Sequence, residues 1–182
     1  MSRGTITTLR DMVPLRPLTR SEALDLAERQ ARCLLRLAGI TMEAVPERVI
    51  TDVPKVAVRR LAPFPVSGAT YWSAGSWRVG LNGAEPATRQ RFSLAHEFKH
   101  IVDHPFADLI YRSLDEPERS LFIEQVCDYF AGCLLVPAEW LARAAATDAN
   151  PAALAERFEV SQAAIHTRLS QCGLTVPARR CD

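Results

Sequence analysis

Two histidines four residues apart, with a glutamate directly after the first, stand in the stretch Arg91-Phe92-Ser93-Leu94-Ala95-His96-Glu97-Phe98-Lys99-His100-Ile101-Val102-Asp103-His104-Pro105. On a helix, His96 and His100 share one face, about one turn apart. Two imidazoles so placed can hold one tetrahedral metal ion, and zinc is the ion expected. Glu97 would then reach a water in the metal's open position and serve as its general base. The flanks predict a buried helix: Phe92, Ala95, Phe98, Ile101 and Val102 are apolar at spacings of three and four, and Pro105 stops it. His104 would lie about 12 Å along the axis from His96, too far to share the ion. It reads as a surface residue at the helix end, and Asp103 as a local cap or pair.

Catalytic zinc takes three protein ligands and leaves the fourth position to water. The segment 118–136 offers the third. Most of it is apolar, yet Glu124 and Asp128 lie four apart on one face. Carboxylates facing inward on such a helix need partners. Coordination would satisfy Glu124, and the second ring nitrogen of a ligating His would satisfy Asp128 and set that ring's tautomer. Turned outward, the two would be an ordinary solvated stripe. Cys127 reads as a small buried apolar residue rather than a thiolate ligand.

The elements that must position these groups follow from periodicity and punctuation. Helices are expected over 19–38 (capped by Thr19 or Ser21, ended by Gly39), 86–103, 118–136, 138–146, 152–158 and 162–172, with a helical turn at 46–52. Strands are expected over 55–61, 69–73 and 76–82, the last two as a hairpin around Ala74-Gly75, with Pro63, Pro65 and Gly68 in the loop before it. The fold class is α+β: a small antiparallel three-stranded sheet packed on a helical, zincin-like core, with a C-terminal helix-turn-helix-like pair. The divisions expected are a flexible arm at 1–18, the core at 19–147 and the pair at 148–182, packed on the core.

Composition bounds the rest. The chain has 182 residues, 48% hydrophobic and 24% charged, the size and balance of one globular domain. A net charge of +1 gives no electrostatic reason for nucleic acid or acidic membranes. Cys33, Cys127, Cys133, Cys172 and Cys181 are scattered and odd in number, which suits reduced thiols. No apolar run reaches the length of a signal peptide core or a membrane span, so a cytoplasmic protein is expected.

Taken together, Arg91 to His100, then Glu124 followed by Asp128-Tyr129-Phe130-Ala131, then Leu134-Leu135-Val136-Pro137, resemble the ImmA/IrrE-type metallopeptidases. That family shows Arg-x-x-Phe-Thr-x-Ala-His-Glu-x-x-His, Glu-x-x-Ala-Asn-x-Phe-Ala and Leu-Leu-x-Pro in this order and spacing. The resemblance covers about residues 30 to 175. Two departures matter: Cys127-Asp128 stands where Ala-Asn is usual, and Lys99 replaces a common Gly and is expected to point to solvent. The resemblance implies a gluzincin-like zinc endopeptidase of bacterial or phage origin that cleaves or inactivates a helix-turn-helix repressor. His96, His100 and Glu124 would hold Zn2+, Glu97 would be catalytic, and Asp128 would support a ligand. An oxyanion donor, from Tyr71, Tyr111 or an Arg, is not singled out. A substrate strand could lie along an edge of the sheet formed by residues 69–82.

The segment 154–169 supplies a rival reading. Leu154, Ala155, Phe158, Val160, Ile165 and Leu169 would face inward, and Gln162, His166 and Arg168 would be an exposed polar set. That is the pattern of a DNA-binding or repressor-docking regulator whose metal site is structural or inert. Residues 151–182 carry four Arg against three acids, a weak phosphate footprint, so packing on the core or docking a protein substrate is the preferred role.

Overall fold

The computed structural model of the chain describes residues 4–174. Cys181, residues 1–3 of the expected arm and residues 175–182 of the expected pair lie outside the described residues. The elements run α1 (Thr5–Arg10), α2 (Arg20–Leu37), α3 (Arg48–Thr51), β1 (Val56–Leu61), β2 (Gly68–Ser73), β3 (Ser76–Asn82), α4 (Ala87–Asp103), α5 (Ala107–Ile110), α6 (Glu118–Leu135), α7 (Ala138–Thr147), α8 (Pro151–Phe158) and α9 (Gln162–Gln171). The architecture is α+β.

The motif helix α4 lies between the sheet and α6, and α6 packs on α2. Phe98, Ile101 and Val102 on α4, Val79 and Leu81 on β3, and Val126 and Phe130 on α6 form the middle of the core. Helix α2 starts in a full capping box: the Thr19 hydroxyl accepts from the Glu22 amide and the Glu22 carboxylate accepts from the Thr19 amide. Gly39, at φ 66°, ends it.

The sheet is mixed, not antiparallel. Its order is β1-β3-β2, with β2 antiparallel to β3 and β1 parallel to β3. The hairpin is present, but it folds back so that its second strand inserts beside β1. The loop 62–67 must therefore cross over β3. Gly80 makes room for that crossing, since a Cβ there would lie 3.0 Å from the Phe64 ring. This leaves β2 as an edge strand.

The arm is not a flexible tail where it is described. Leu9 is fully buried in α1, and the Arg10 guanidinium donates to the carbonyls of Ile101 (2.7 Å) and Val102 (3.2 Å) near the end of α4. The Leu18 amide donates to the Ile110 carbonyl. Those bonds hold a segment whose own apolar content is too thin to signal a helix.

Lys99 is also not at the surface. Its ammonium is wholly buried and donates to Asp103 Oδ1 (2.7 Å) and Gln30 Oε1 (2.8 Å), while the Tyr111 hydroxyl donates to Asp103 Oδ2 (2.6 Å). The charge is tolerated because every strong partner is supplied from α2, α4 and the turn after α5. Removing one partner of such a pair costs about 3–5 kcal/mol. Lys99→Met is therefore expected to lower the thermal midpoint by roughly 10 °C; an unchanged melt would show that the pair is not holding α4 in place.

The C-terminal pair packs on α6 and α7. Arg168, expected outside, is buried: its Nε donates to the Val136 carbonyl and its guanidinium lies over the Tyr129 ring. Gly132 on α6 leaves the space, since a Cβ there would lie 2.9 Å from Arg168 Cδ. Arg91 on α4 adds an ion pair to Glu159. Among the described residues no single helix is long and apolar enough to cross a membrane; α6 and α7 pass that test only as a pair bent by 54°. Cys33, Cys127, Cys133 and Cys172 are free thiols.

Candidate metal centre

Helix α4 presents His96 and His100 toward α6, which answers with Glu124 and Asp128. His96 Nε2 and His100 Nε2 are 3.1 Å apart. Glu124 Oε2 is 3.1 Å from His96 Nε2, and Glu124 Oε1 is 3.3 Å from His100 Nε2. A tetrahedral ion with donors at ~2.0–2.2 Å spaces them about 3.3–3.5 Å apart. The three donor groups are of the right type for one such ion and, at 3.1–3.3 Å, sit at or slightly inside that spacing. Behind His96, Asp128 Oδ1 lies 2.8 Å from Nδ1, so an Nδ1–H donated to that carboxylate leaves Nε2 bare as a donor to a metal.

The carboxylates reach this arrangement differently from the reasoning that singled them out. Glu124 and Asp128 do not turn into the core: their side chains are 58% and 61% exposed. They stand on the open side of α6 and lean over the histidines, which are less exposed. The fourfold spacing placed them together, whereas inward burial did not.

Cys127 lies under the site. Its sulfur is within 4.8 Å of a donor nitrogen of each histidine. The Glu124 oxygens lie 3.1 and 3.3 Å from those nitrogens, and burial first, with the Asp103 charge second, pushes the Cys127 thiol well above its ordinary range. A ligating thiol must ionise, so the carboxylate is the better third donor.

The surroundings also tune the titrating groups. Burial acts to lower the His96 pKa, but the Asp128 hydrogen bond and the charges of Asp128, Glu124 and Glu97 outweigh it, and the net shift is upward. Burial and then the neighbouring His96 lower His100. Burial raises Glu97, and Glu124 adds to this against the opposing pull of His96. Glu97 is only 8% exposed, and no side-chain hydrogen bond is made to its carboxylate among the described residues. A carboxylate held so, with its pKa raised, has the character of a general base.

Other residues singled out by type fall away from the centre. The His104 ring packs edge-on against Trp77. Tyr111 is buried, with its hydroxyl committed to Asp103. Tyr71 is exposed and, by strand alternation, faces away from the side on which Gly68 meets Glu97. Gln162 and His166 are exposed on α9, whereas Arg168 is not. One residue of the site escaped sequence reasoning: Gly68 is the first residue of β2, not a loop glycine, and a Cβ there would come within 2.9 Å of Glu97 Cγ and Oε1. A glycine inside a strand can mark such a close approach, and that was the available signal.

The family model described as the IrrE N-terminal-like domain, Peptidase_M78, matches residues 53–170, which include β1–β3, α4, α6 and nearly all of α9. No curated protein matches the chain. Among solved structures, a Mycobacterium tuberculosis transcriptional regulator superposes with a TM-score of 0.64 at 16% identity, covering 85% of this chain and 48% of that one. The chain thus spans about half the length of that regulator, and the likeness concerns the fold.

Proposed function

The chain belongs to the IrrE N-terminal-like family of peptidases, and on that premise we propose that it is a zinc-dependent endopeptidase that cuts or inactivates a helix-turn-helix transcriptional repressor. The observation that carries this reading is the triangle of His96, His100 and Glu124 donors, with Glu97 beside it and Asp128 behind it. Zinc, when bound, supplies Lewis acidity, making a water nucleophilic near neutral pH and polarising the scissile carbonyl.

The chain's own residues do the rest. Asp128 fixes the His96 ring and its tautomer. Glu97 removes a proton from the attacking water and returns one to the departing amine. Its raised pKa suits both halves of that cycle, since a base too weak to hold the proton could not deliver it. The free edge of β2 would let a substrate segment add as an extended strand and gain main-chain hydrogen bonds beside Glu97.

The rival reading, a DNA-binding or repressor-docking regulator, finds less support. The pair's Arg168 is spent on α6, and Arg157 faces Glu43 at 3.5 Å. Arg168 is therefore withheld from phosphate, and Arg157 already has an acidic neighbour. The test of the proposed function is incubation of the zinc-loaded protein with any helix-turn-helix repressor found encoded in a neighbouring gene, followed by intact-mass analysis. Two fragments summing to the repressor plus one water are expected, and none after chelation. Repressor left whole at stoichiometric enzyme would contradict the peptidase reading.

A further inference from the structure

Gly68 has no backbone reason to be glycine: it sits in regular pairing with Leu81, and its φ is not in the left-handed region. Space is the reason. A Cβ at this position would lie 2.9 Å from Glu97 Cγ, 2.9 Å from Oε1 and 3.3 Å from Cδ. All three contacts belong to one side chain, and all are atoms that a Glu can swing aside. An added methyl group would therefore displace the glutamate in preference to the strand.

The same slot accounts for how Glu97 is held. No side-chain hydrogen bond is made to its carboxylate among the described residues, and it is nevertheless nearly buried. Packing of α4 against the bare backbone of the edge strand confines it. The three atoms nearest to a Cβ at Gly68 all belong to Glu97, and none to His96, His100 or Glu124.

We propose that Gly68 is the positioning residue for the Glu97 base: its missing side chain forms the slot that aims the carboxylate, and the metal ligands are set independently of it. This rests on the peptidase reading, in which Glu97 is the base. A carboxylate moved by about 1 Å from its working position can lose on the order of 100-fold in rate.

The test is a double-mutant cycle of Gly68→Ala and Glu97→Ala with two readouts. The first is the thermal midpoint of chelator-treated protein, which requires no metal and no substrate. Gly68→Ala is expected to lower it by about 5 °C with Glu97 present. With Glu97→Ala the same change is expected to be neutral or stabilising, because Ala is otherwise preferred to Gly inside a strand. The second readout is repressor cleavage by zinc-loaded protein. Gly68→Ala is expected to lose about 100-fold in kcat with KM and zinc content unchanged, and to add no loss to that of Glu97→Ala. Equal midpoint shifts in both backgrounds, or full kcat in Gly68→Ala, would overturn the proposal while wild-type cleavage stands. Loss of zinc in Gly68→Ala would also overturn it, by placing Gly68 with the ligands. No cleavage by the wild-type protein would instead remove the peptidase reading itself.

Discussion

Glu97→Gln is expected to abolish cleavage while the protein keeps its metal. Gln has the size and shape of Glu, so it fills the slot against Gly68 without a new contact. It has no free carboxylate to take the proton of the attacking water. Loss of a positioned general base costs about 10²–10⁴-fold, on the order of 3–5 kcal/mol of barrier. The donors of His96, His100 and Glu124 lie on other atoms, 3.1–3.3 Å from one another, and the substitution leaves them in place. Single-turnover fragment formation, read beside metal content in the same sample, separates base from ligand. Cleavage at the wild-type rate would end the role given to Glu97, and metal loss would make it a ligand or its support.

The second large effect is expected at Glu124. Glu124→Ala leaves two imidazoles and removes the only carboxylate, among the described residues, that pairs with both. Disturbing a partner outside the ligand set typically costs 10–100-fold in metal affinity, so removal of a ligand is expected to cost at least ~100-fold. Cys127 is near enough to both histidines to be tested, but its thiol is buried and its pKa is pushed up, so it is not expected to compensate. Chelator competition reads the change. Unaltered affinity would pass the third position to another donor.

Much of this site was legible because it is helical. His96 and His100, and likewise Glu124 and Asp128, are paired by the fourfold spacing, and helix geometry converts that spacing into proximity without knowledge of the fold. What the periodicity does not contain is the approach of one element to another. The Lys99 to Asp103 spacing looks like any exposed helical ion pair; Gln30 and Tyr111, which make its burial tolerable, come from elsewhere in the chain. Arg168 appears polar and outward until Gly132 is seen to open a space for it. The parallel pairing of β1 with β3 depends on a loop crossing at Gly80, a nonlocal event that alternation within each strand does not report. Gly68 was readable as a glycine near a strand, but Glu97 lies 29 positions away, and only their packing shows what the glycine is for.

The central claim is that two histidines and a carboxylate, without a thiolate, hold one catalytic metal. Native mass spectrometry of the zinc-loaded chain tests it directly when wild type, Glu124→Ala and Cys127→Ser are compared at equal, limiting zinc. The account predicts one zinc per chain in wild type and in Cys127→Ser, and metal-free protein for Glu124→Ala. Zinc retained by Glu124→Ala and lost from Cys127→Ser would contradict it.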